Sequence, residues 1–233
     1  MMFTKQPEKI ERSGVFLRGE ELALVTEFKY LGVILDPTLS FRKHIKKVCN
    51  SVKYGLANFR QIRNSLTDSA ALMFFHSMIL SHIDYCLPIW SLACSTALRP
   101  IESLYKRGLK ILDKKPHSVH TCSILKKRKF LSLQNFKTFR YACFVYKTLH
   151  GLAPSPLKEF FRRRSVSGMN TRACDRGDCE IPHRRTSFGM KVVSVVGGKI
   201  WNSLPSTLRT CPSYSSFKRN LKEWLKTSQI CNH

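Results

Sequence analysis

Acidic residues are scarce in this sequence. The 233 residues include 15 Asp and Glu against 40 Lys and Arg, which gives a formal net charge of +25. Repulsion among so many like charges opposes compaction unless a polyanion offsets it. A protein that acts alone on neutral small molecules is therefore disfavoured, and a nucleic acid or another acidic partner is favoured. No two aspartates are adjacent, so the sequence lacks the paired carboxylates that two-metal chemistry requires.

Several other signatures are missing. No apolar run reaches the roughly 18 residues of a membrane span, and residues 1–5 show no hydrophobic signal segment. There is no Gly-rich phosphate loop after a strand and no G-x-S-x-G nucleophile motif. The nine cysteines are odd in number and irregularly spaced, which disfavours a disulfide framework. We expect an intracellular protein of the nucleus or cytoplasm, with mostly reduced thiols and no membrane partner.

The charge is unevenly distributed along the chain. Residues 1–36 carry five basic and six acidic side chains, whereas residues 37–233 carry 35 basic and nine acidic ones. This asymmetry separates a neutral beginning from a basic body. We predict an α+β fold that is mostly α, in four segments: a β segment at 1–37, a basic helical bundle at 38–152, a linker rich in Pro, Arg and Ser at 153–188, and a small helical subdomain at 189–233.

The β segment is predicted from short stretches rich in Val, Ile and aromatic residues at 14–17, 22–25 and 28–35. A turn at Gly19-Glu20 would join the first two strands. Pro37 has no N–H to donate to a ladder, so the third strand is expected to end at Asp36.

From Ser40 onward the apolar spacing changes to that of helices. The residues Ile45, Val48, Cys49, Val52, Leu56, Phe59 and Ile62 lie on one helical face. Thr67 is predicted to cap a second helix that runs to about Trp90. Further helices are predicted at 96–112 and 132–149, the latter closed by Gly151. A short basic helix is predicted to end at Arg164 and a last helix to contain Phe217 and Leu225. Helix and strand remain open at 192–201.

Basic residues are densest between Arg99 and Arg164, where 17 Lys and Arg stand against three acids. Cations on one surface release the counterions of a phosphate backbone and so bind it in a salt-dependent way. Exposed aromatic residues among them can stack on unpaired bases, although most are expected in the core. The candidate nucleic-acid-binding residues are Lys43, Lys46, Lys47, Lys106, Arg107, Lys110, Lys126, Lys127, Arg128, Lys129, Arg162, Arg163 and Arg164.

Two patterns suggest metal ligands only weakly. Cys174, Cys179 and His183 have part of a zinc-site spacing, but a closed zinc site needs four ligands and no fourth is evident. Free thiols in a loop are the alternative. His82 and Asp84 match an H-x-D pair, yet they fall in a predicted helix, where residues two apart point about 200° away from each other.

Four stretches, taken in order, resemble the C-terminal part of the reverse transcriptase of LINE-type, non-LTR retrotransposons of the jockey and chicken-repeat sort. Together they extend over nearly the whole chain. They are Phe28-Lys29-Tyr30-Leu31-Gly32-Val33-Ile34-Leu35-Asp36 followed by Leu39-Ser40-Phe41 and His44-Ile45; Tyr85-Cys86-Leu87-Pro88-Ile89-Trp90; Trp201-Asn202-Ser203-Leu204-Pro205; and Phe217-Lys218, Leu221-Lys222 and Leu225.

The resemblance implies a role for each region. The segment with Tyr30, Leu31 and Gly32 would correspond to the hairpin that closes the palm and grips the primer, the following helices to the thumb, and the remainder to a basic tail. The family's Tyr-x-Asp-Asp box would lie upstream of Met1, so no catalytic residue is transferred. The resemblance implies a chain derived from an RNA-directed DNA polymerase but inactive by itself. Its partners would be RNA, an RNA–DNA hybrid or DNA, together with the missing upstream polymerase domain. No cofactor is expected, since Mg²⁺ would belong to the complete polymerase.

Two other hypotheses remain open. The stretch from Tyr30 to Ile45 is similar to a segment grouped with the N-terminus of an AlkB-type tRNA-modifying dioxygenase and methyltransferase, although the chain has no Gly-rich cofactor loop. A small zinc-binding interaction module is the other.

Overall fold

The computed structural model describes residues 16–21, 25–164, 177–186 and 189–228. Contacts divide the chain into an N-terminal unit, residues 1–117, and a C-terminal unit, residues 118–233. The described residues form an α+β fold that is mostly α, which confirms the predicted fold class. The four-segment division remains a prediction, and helices of the predicted 38–152 bundle occur in both units.

The N-terminal unit consists of two antiparallel hairpins followed by helices. Strands β1 (Phe16–Leu17) and β2 (Glu20–Glu21) form the first hairpin, and β3 (Phe28–Tyr30) and β4 (Val33–Leu35) form the second. The helices are α1 (Arg42–Ile62), α2 (Asp68–Phe74), α3 (Ser81–Asp84), α4 (Leu87–Trp90) and α5 (Ser95–Leu112). A 3-10 turn, Arg63–Ser65, follows α1, and a π-helical segment, Phe75–Leu80, joins α2 to α3.

The predicted strand at 28–35 is wrong, because the chain reverses in its middle. Leu31 and Gly32 have φ angles of 44° and 84°, the pair of positive values that a tight two-residue hairpin turn requires. Tyr30 consequently pairs with Val33. The turn of the first hairpin is also displaced by one residue, since Arg18 and Gly19 have the positive φ angles. Of the strand predicted at 22–25, residues 22–24 lie outside the described residues, as do 14 and 15 of the strand predicted at 14–17.

Helix α1 buries the face that its spacing predicts. Six of the seven predicted face residues are buried, and only Ile62, in the last turn, is exposed. Gly55 lies on this face because α1 passes very close to the π-helical segment. A Cβ added to Gly55 would stand 2.7 Å from the carbonyl oxygen of Met78, so a larger residue would force the two helices apart.

The helix predicted from Thr67 to Trp90 begins as predicted but ends early. The Thr67 hydroxyl accepts a hydrogen bond from the Ala70 amide at 3.3 Å, which confirms the cap. The helix stops at Asp84, because Tyr85 has a non-helical ψ of 118° and Cys86 has a φ of 52°. The freed Tyr85 carbonyl accepts a hydrogen bond from the Trp90 indole at 2.8 Å, which fixes α4 beside the break.

The C-terminal unit contains helices α6 (Thr121–Arg128), α7 (Leu133–Leu149), α8 (Val193–Ser203), α9 (Ser206–Arg209) and α10 (Tyr214–Thr227), with 3-10 turns at Ser155–Phe160 and Gly189–Lys191. Helices α5 and α7 confirm the predicted ones to within a residue, and Gly151 closes α7 with a φ of 70°. Helix α6 was not predicted. The region left open at 192–201 is helical. The short basic helix predicted before Arg164 is instead a 3-10 turn followed by extended chain.

An aromatic cluster forms the core of the C-terminal unit. The rings of Tyr146 and Phe217 stack at 4.4 Å, and Trp201 lies 5.8 Å from Phe217. Gly197 of α8 allows Phe161 to pack directly against that helix, since an added Cβ would lie 2.7 Å from the Phe161 ring. The sequence predicts an apolar side of the last helix formed by Phe217, Leu221, Trp224 and Leu225. Three of these are buried in this core, and Trp224 packs against it while only partly buried.

Two further observations concern disulfides and membrane-spanning helices, neither of which the sequence predicts. Cys122 is disulfide-bonded, an exception to the mostly reduced thiols expected, whereas none of the six other described cysteines belongs to a disulfide. Among the described helices, none offers the length of apolar sequence that a bilayer crossing requires.

The second hairpin is attached to the helices mainly through its turn and through β4. Val33 is buried, but Tyr30 and Leu31 are 59% and 72% exposed. The Tyr85 hydroxyl donates a hydrogen bond to the Leu31 carbonyl at 2.5 Å, and the Lys47 ammonium donates to the Gly32 carbonyl at 3.3 Å. A hairpin of two three-residue strands has few internal hydrogen bonds and depends on such outside contacts.

We expect the amides of residues 28–35 to exchange with solvent well before those of residues 72–84. The reason is that local opening costs least where few apolar groups are buried. The variant Tyr85→Phe should accelerate exchange at 31–34 further and leave the centre of α5 unchanged, because it removes only the bond to Leu31. Hydrogen exchange followed by mass spectrometry measures both. Equal protection of the two regions would contradict the expectation.

Candidate nucleic-acid interface

The predicted cations lie on the surfaces of both units. Eleven of the thirteen are exposed, while Lys110 and Arg128 are half-buried. Six belong to the N-terminal unit and seven to the C-terminal unit. Since each unit presents its own set, the two sets are described separately.

The three candidates on α1 have different environments. Lys43 forms an ion pair with Glu27 at 2.6 Å, and Lys47 donates to the Gly32 carbonyl. These two side chains therefore help to hold the second hairpin and the chain before it. Lys46 is exposed and forms no ion pair with any described residue. Of these three candidates, Lys46 is the most available to an external anion.

The candidates on α5 differ in the same way. Lys106 pairs with Glu102 one turn earlier, at 2.7 Å; both are about half exposed, so the pair adds little stability. The Lys110 ammonium donates to the His117 carbonyl at 2.5 Å. Arg107 has no ion-pair partner among the described residues. Arg107 and Lys110 line a cleft together with Arg60 and Lys115, two cations that sequence reasoning did not nominate.

The run from Lys126 to Lys129 has a structural role besides its charge. Lys126, Lys127 and Arg128 form the last turn of α6, where cations stabilise the negative end of a helix. Lys129 adopts a φ of 55° and ends the helix, and the following Phe130 amide returns a hydrogen bond to Leu125. A charge run of this kind is therefore explained in part by helix termination, and only its exposed ammonium groups remain for a ligand.

Helices α7 and α10 present cations that sequence reasoning also left unassigned. Arg140, Lys147 and Lys218 all act electrostatically on the buried Cys143, which places them near one another. The Lys147 ammonium lies 4.9 Å from the centre of the Tyr214 ring, an arrangement that orients it. Lys218 and Lys222 are exposed and one turn apart on α10, opposite its buried side. Their spacing of four residues, on the side of α10 opposite its apolar residues, is the sequence signal that could have nominated them as nucleic-acid-binding candidates.

The segment Arg162-Arg163-Arg164 is extended and pairs with residues 178–180. The Arg164 amide donates to the Asp178 carbonyl at 3.0 Å, and the Glu180 amide donates to the Arg162 carbonyl at 2.9 Å. Side chains alternate along extended backbone. The Arg163 guanidinium accordingly turns to the His150 ring at 3.2 Å, whereas Arg162 and Arg164 are exposed and form no ion pair with described residues.

Trp201 and Asn202, from one of the motifs that carry the resemblance, hold residues 177–180 in place. The Trp201 indole donates to the Gly177 carbonyl at 3.1 Å. The Asn202 side chain accepts from the Cys179 amide at 2.7 Å and donates to the Cys179 carbonyl at 3.0 Å. Asp178 pairs with the buried Arg209. This motif thus has a scaffold role and supports the three arginines indirectly.

Two of the zinc candidates, Cys179 and His183, differ in how deeply their side chains are buried. Cys179 is fully buried, and burial raises the pKa of its thiol to about 12, while Arg163 and Arg209 act in the opposite direction. Zinc binds the thiolate, so this environment disfavours ligation. His183 is exposed, and Cys174 lies outside the described residues. Within the described ranges, no three His, Cys, Asp or Glu side chains are grouped to hold a metal. His82 and Asp84 lie on α3, in helix as predicted.

We expect iodoacetamide at about pH 8 to modify Cys94 rapidly and Cys179 very slowly in the folded protein. Cys94 is exposed, whereas burial both shields Cys179 and raises its thiol pKa, which lowers the thiolate fraction. Peptide mass spectrometry over time measures the two rates. Denaturant should make them similar, which serves as the control. Rapid modification of Cys179 in the folded chain would contradict its placement.

With this geometry established, comparison with curated proteins identifies a class. The chain is similar to RNA-directed DNA polymerases of mobile elements. It is 28% identical over 114 residues, or 48% of the chain, to the RNA-directed DNA polymerase from mobile element jockey of Drosophila funebris. Its identity to the jockey polymerase of Drosophila melanogaster is 25% over the same length, and to the probable RNA-directed DNA polymerase from transposon X-element of that species 26% over 87 residues.

These matches confirm the resemblance to LINE-type retrotransposon polymerases that the motifs suggested. They cover only 10 to 12% of the length of these relatives. No protein family profile matches the chain, and no solved structure does.

Proposed function

We propose that this chain binds RNA, an RNA–DNA hybrid or DNA, as the palm-end hairpin, thumb and basic tail of a retrotransposon reverse transcriptase. The similarity to RNA-directed DNA polymerases supports a nucleic-acid substrate. The formal net charge of +25 supports a direct role for the exposed lysines and arginines in binding that nucleic acid.

The observation that carries the proposal is the way the few carboxylates are used. Asp36 accepts hydrogen bonds from the amides of Thr38, Ser40 and Phe41 and so shapes the entry to α1. Asp178 is buried against Arg209. These two carboxylates therefore do not neutralise exposed cations, and at the surface Glu27, Glu102 and Glu223 pair with only one lysine each. The exposed cations therefore attract an external polyanion.

Each unit would contribute its own contacts. In the N-terminal unit the exposed cations without an ion-pair partner among described residues include Lys46 and Arg107. In the C-terminal unit, Lys126, Arg162 and Arg164 are exposed in the same way, and Lys218 and Lys222 are exposed on α10. Regularly spaced ammonium and guanidinium groups on helices can follow a phosphate backbone without reading its sequence. We infer binding that depends on charge and strand form more than on base sequence.

The second hairpin would take the primer-grip position that the resemblance implies. Its turn presents Tyr30 and Leu31 to solvent and is fixed from behind by Tyr85 and Lys47. Glycine is favoured at position 32, because the Cβ of any other residue would lie only 3.3 Å from the Tyr85 ring. A turn that is both exposed and held by such hydrogen bonds can contact a nucleic-acid backbone and keep its position when it does so.

We expect the affinity for an RNA–DNA hybrid to fall steeply with salt, with log K against log salt sloping at about −3 to −7 if some four to eight phosphates are contacted. The variant Lys126→Gln, Lys218→Gln, Lys222→Gln should reduce the magnitude of this slope by about 1 for each phosphate that is no longer neutralised. Fluorescence anisotropy between about 50 and 300 mM salt measures it.

The matched control replaces the same three lysines with arginine, which keeps the charge and should keep the slope. A salt-independent affinity would contradict the proposal. An unchanged slope in the glutamine variant would show that these three lysines are not part of the interface.

We also expect no polymerase activity from the isolated chain, because none of its aspartates are adjacent and two-metal nucleotidyl transfer requires paired carboxylates at the primer end. Primer extension on a poly-A template with Mg²⁺ or Mn²⁺ tests this. Nucleotide incorporation above a blank without protein would contradict it.

A further inference from the structure

The C-terminal ends of α1 and α5 meet in the N-terminal unit. The guanidinium of Arg63, just after α1, donates to the carbonyl of Leu112, the last residue of α5, at 2.9 Å. Beside this junction lies a cleft of about 330 Å³, which we call the α1–α5 cleft. Its lining residues are Arg60, Arg107, Lys110, Ile111, Lys115, Pro116 and His117.

Four of these lining residues are cations and none is acidic. One reason for cations at this place is that helix ends carry free carbonyls and partial negative charge. That need is met in part by Arg63, which donates to the carbonyl of Leu112. Lys110 is engaged separately, since its ammonium donates to the carbonyl of His117 in the loop after α5. Arg60, Arg107 and Lys115 are exposed and form no ion pair with described residues. The cleft therefore holds more positive charge than the helix ends require.

We propose that the α1–α5 cleft binds the terminal phosphate monoester of a nucleic-acid strand. This inference rests on the proposed function and adds a specific site to it. An internal phosphodiester carries one negative charge, whereas a phosphate monoester carries about −1.5 to −2 at neutral pH and offers three acceptor oxygens. The three cations without an ion-pair partner among the described residues, Arg60, Arg107 and Lys115, match the charge of a monoester better than that of an internal phosphodiester.

The shape of the site and the types of its side chains fit the same ligand. Binding pockets for small groups begin at about 300 Å³, so the cleft accommodates a strand end and is too small for a duplex. Two arginines can each form paired hydrogen bonds with phosphate oxygens, and the lysines add point charges. A concave surface lined by charges of one sign concentrates their electrostatic field on a bound anion.

The experiment compares three single strands of one sequence, about 12 nucleotides long. One has hydroxyl groups at both ends, one carries a 5′-phosphate and one a 3′-phosphate. Anisotropy at fixed salt should show about 10-fold tighter binding of a phosphorylated strand, as a few added charged hydrogen bonds would give. The two phosphorylated strands distinguish which end is bound.

The preference should disappear in the variant Arg107→Gln, Lys115→Gln, whose substituted side chains are exposed in the folded chain. The variant Arg107→Lys should retain most of it. The variant Arg42→Gln, Lys53→Gln removes one exposed arginine and one exposed lysine from α1 outside the cleft. It should leave the ratio of affinities unchanged, which controls for the loss of two charges.

Equal, salt-dependent affinity for all three strands would overturn this inference and leave the proposed function standing. A preference that survives in the Arg107→Gln, Lys115→Gln variant would overturn it as well, because the phosphate would then bind elsewhere. Failure of every single strand to bind while the RNA–DNA hybrid binds would also overturn this inference, and failure of both would overturn the proposed function itself.

Discussion

The buried guanidinium of Arg63 is the group on which the N-terminal unit depends. Only 4% of the residue is exposed, and a charge so placed is costly unless its donors are satisfied. It donates to the Leu112 carbonyl, the Leu66 carbonyl and the Asp68 carboxylate. These bonds join the end of α1, the start of α2 and the end of α5. By bringing the two helix ends together, Arg63 also creates the α1–α5 cleft and concentrates the cations around it.

A shortage of carboxylates shapes the rest of the molecule. A chain with this much positive charge must fold against its own repulsion, and three of the described aspartates hold turns or buried cations. Asp36 organises the turn before α1, Asp68 meets Arg63, and Asp178 meets Arg209 beneath the extended arginine segment. Using acids in this way stabilises the fold but leaves the exterior cationic. The same placement therefore explains how the chain folds and supports the proposal that a polyanion binds to it.

Features that depend on local periodicity could be predicted from the sequence, and features that depend on distant contacts could not. The buried face of α1, the Thr67 cap and the limits of α5 and α7 follow from spacing and capping. The reversal at Leu31 does not, since a positive φ at a leucine is uncommon and its carbonyl is bound by Tyr85, 54 residues away. Helix α6 was missed because it buries little more than Thr121 and Ile124. Charge runs were visible in the sequence, but only the fold brings Arg60 beside Lys115.

The residues that carry the resemblance to retrotransposon polymerases are mainly structural. Tyr85 binds the Leu31 carbonyl, and Trp90 binds the Tyr85 carbonyl, so two separate motifs form one hydrogen-bonded unit. Trp201 and Asn202 likewise hold residues 177–180. Aromatic and amide side chains with fixed partners tolerate few substitutes, because removing one partner leaves a polar group unsatisfied. Exposed lysines and arginines act through their charge, so their exact positions in the sequence matter less than those of residues with fixed hydrogen-bond partners. Similarity in these motifs consequently reflects the scaffold, and the proposed nucleic-acid contacts are inferred from where that scaffold places its cations.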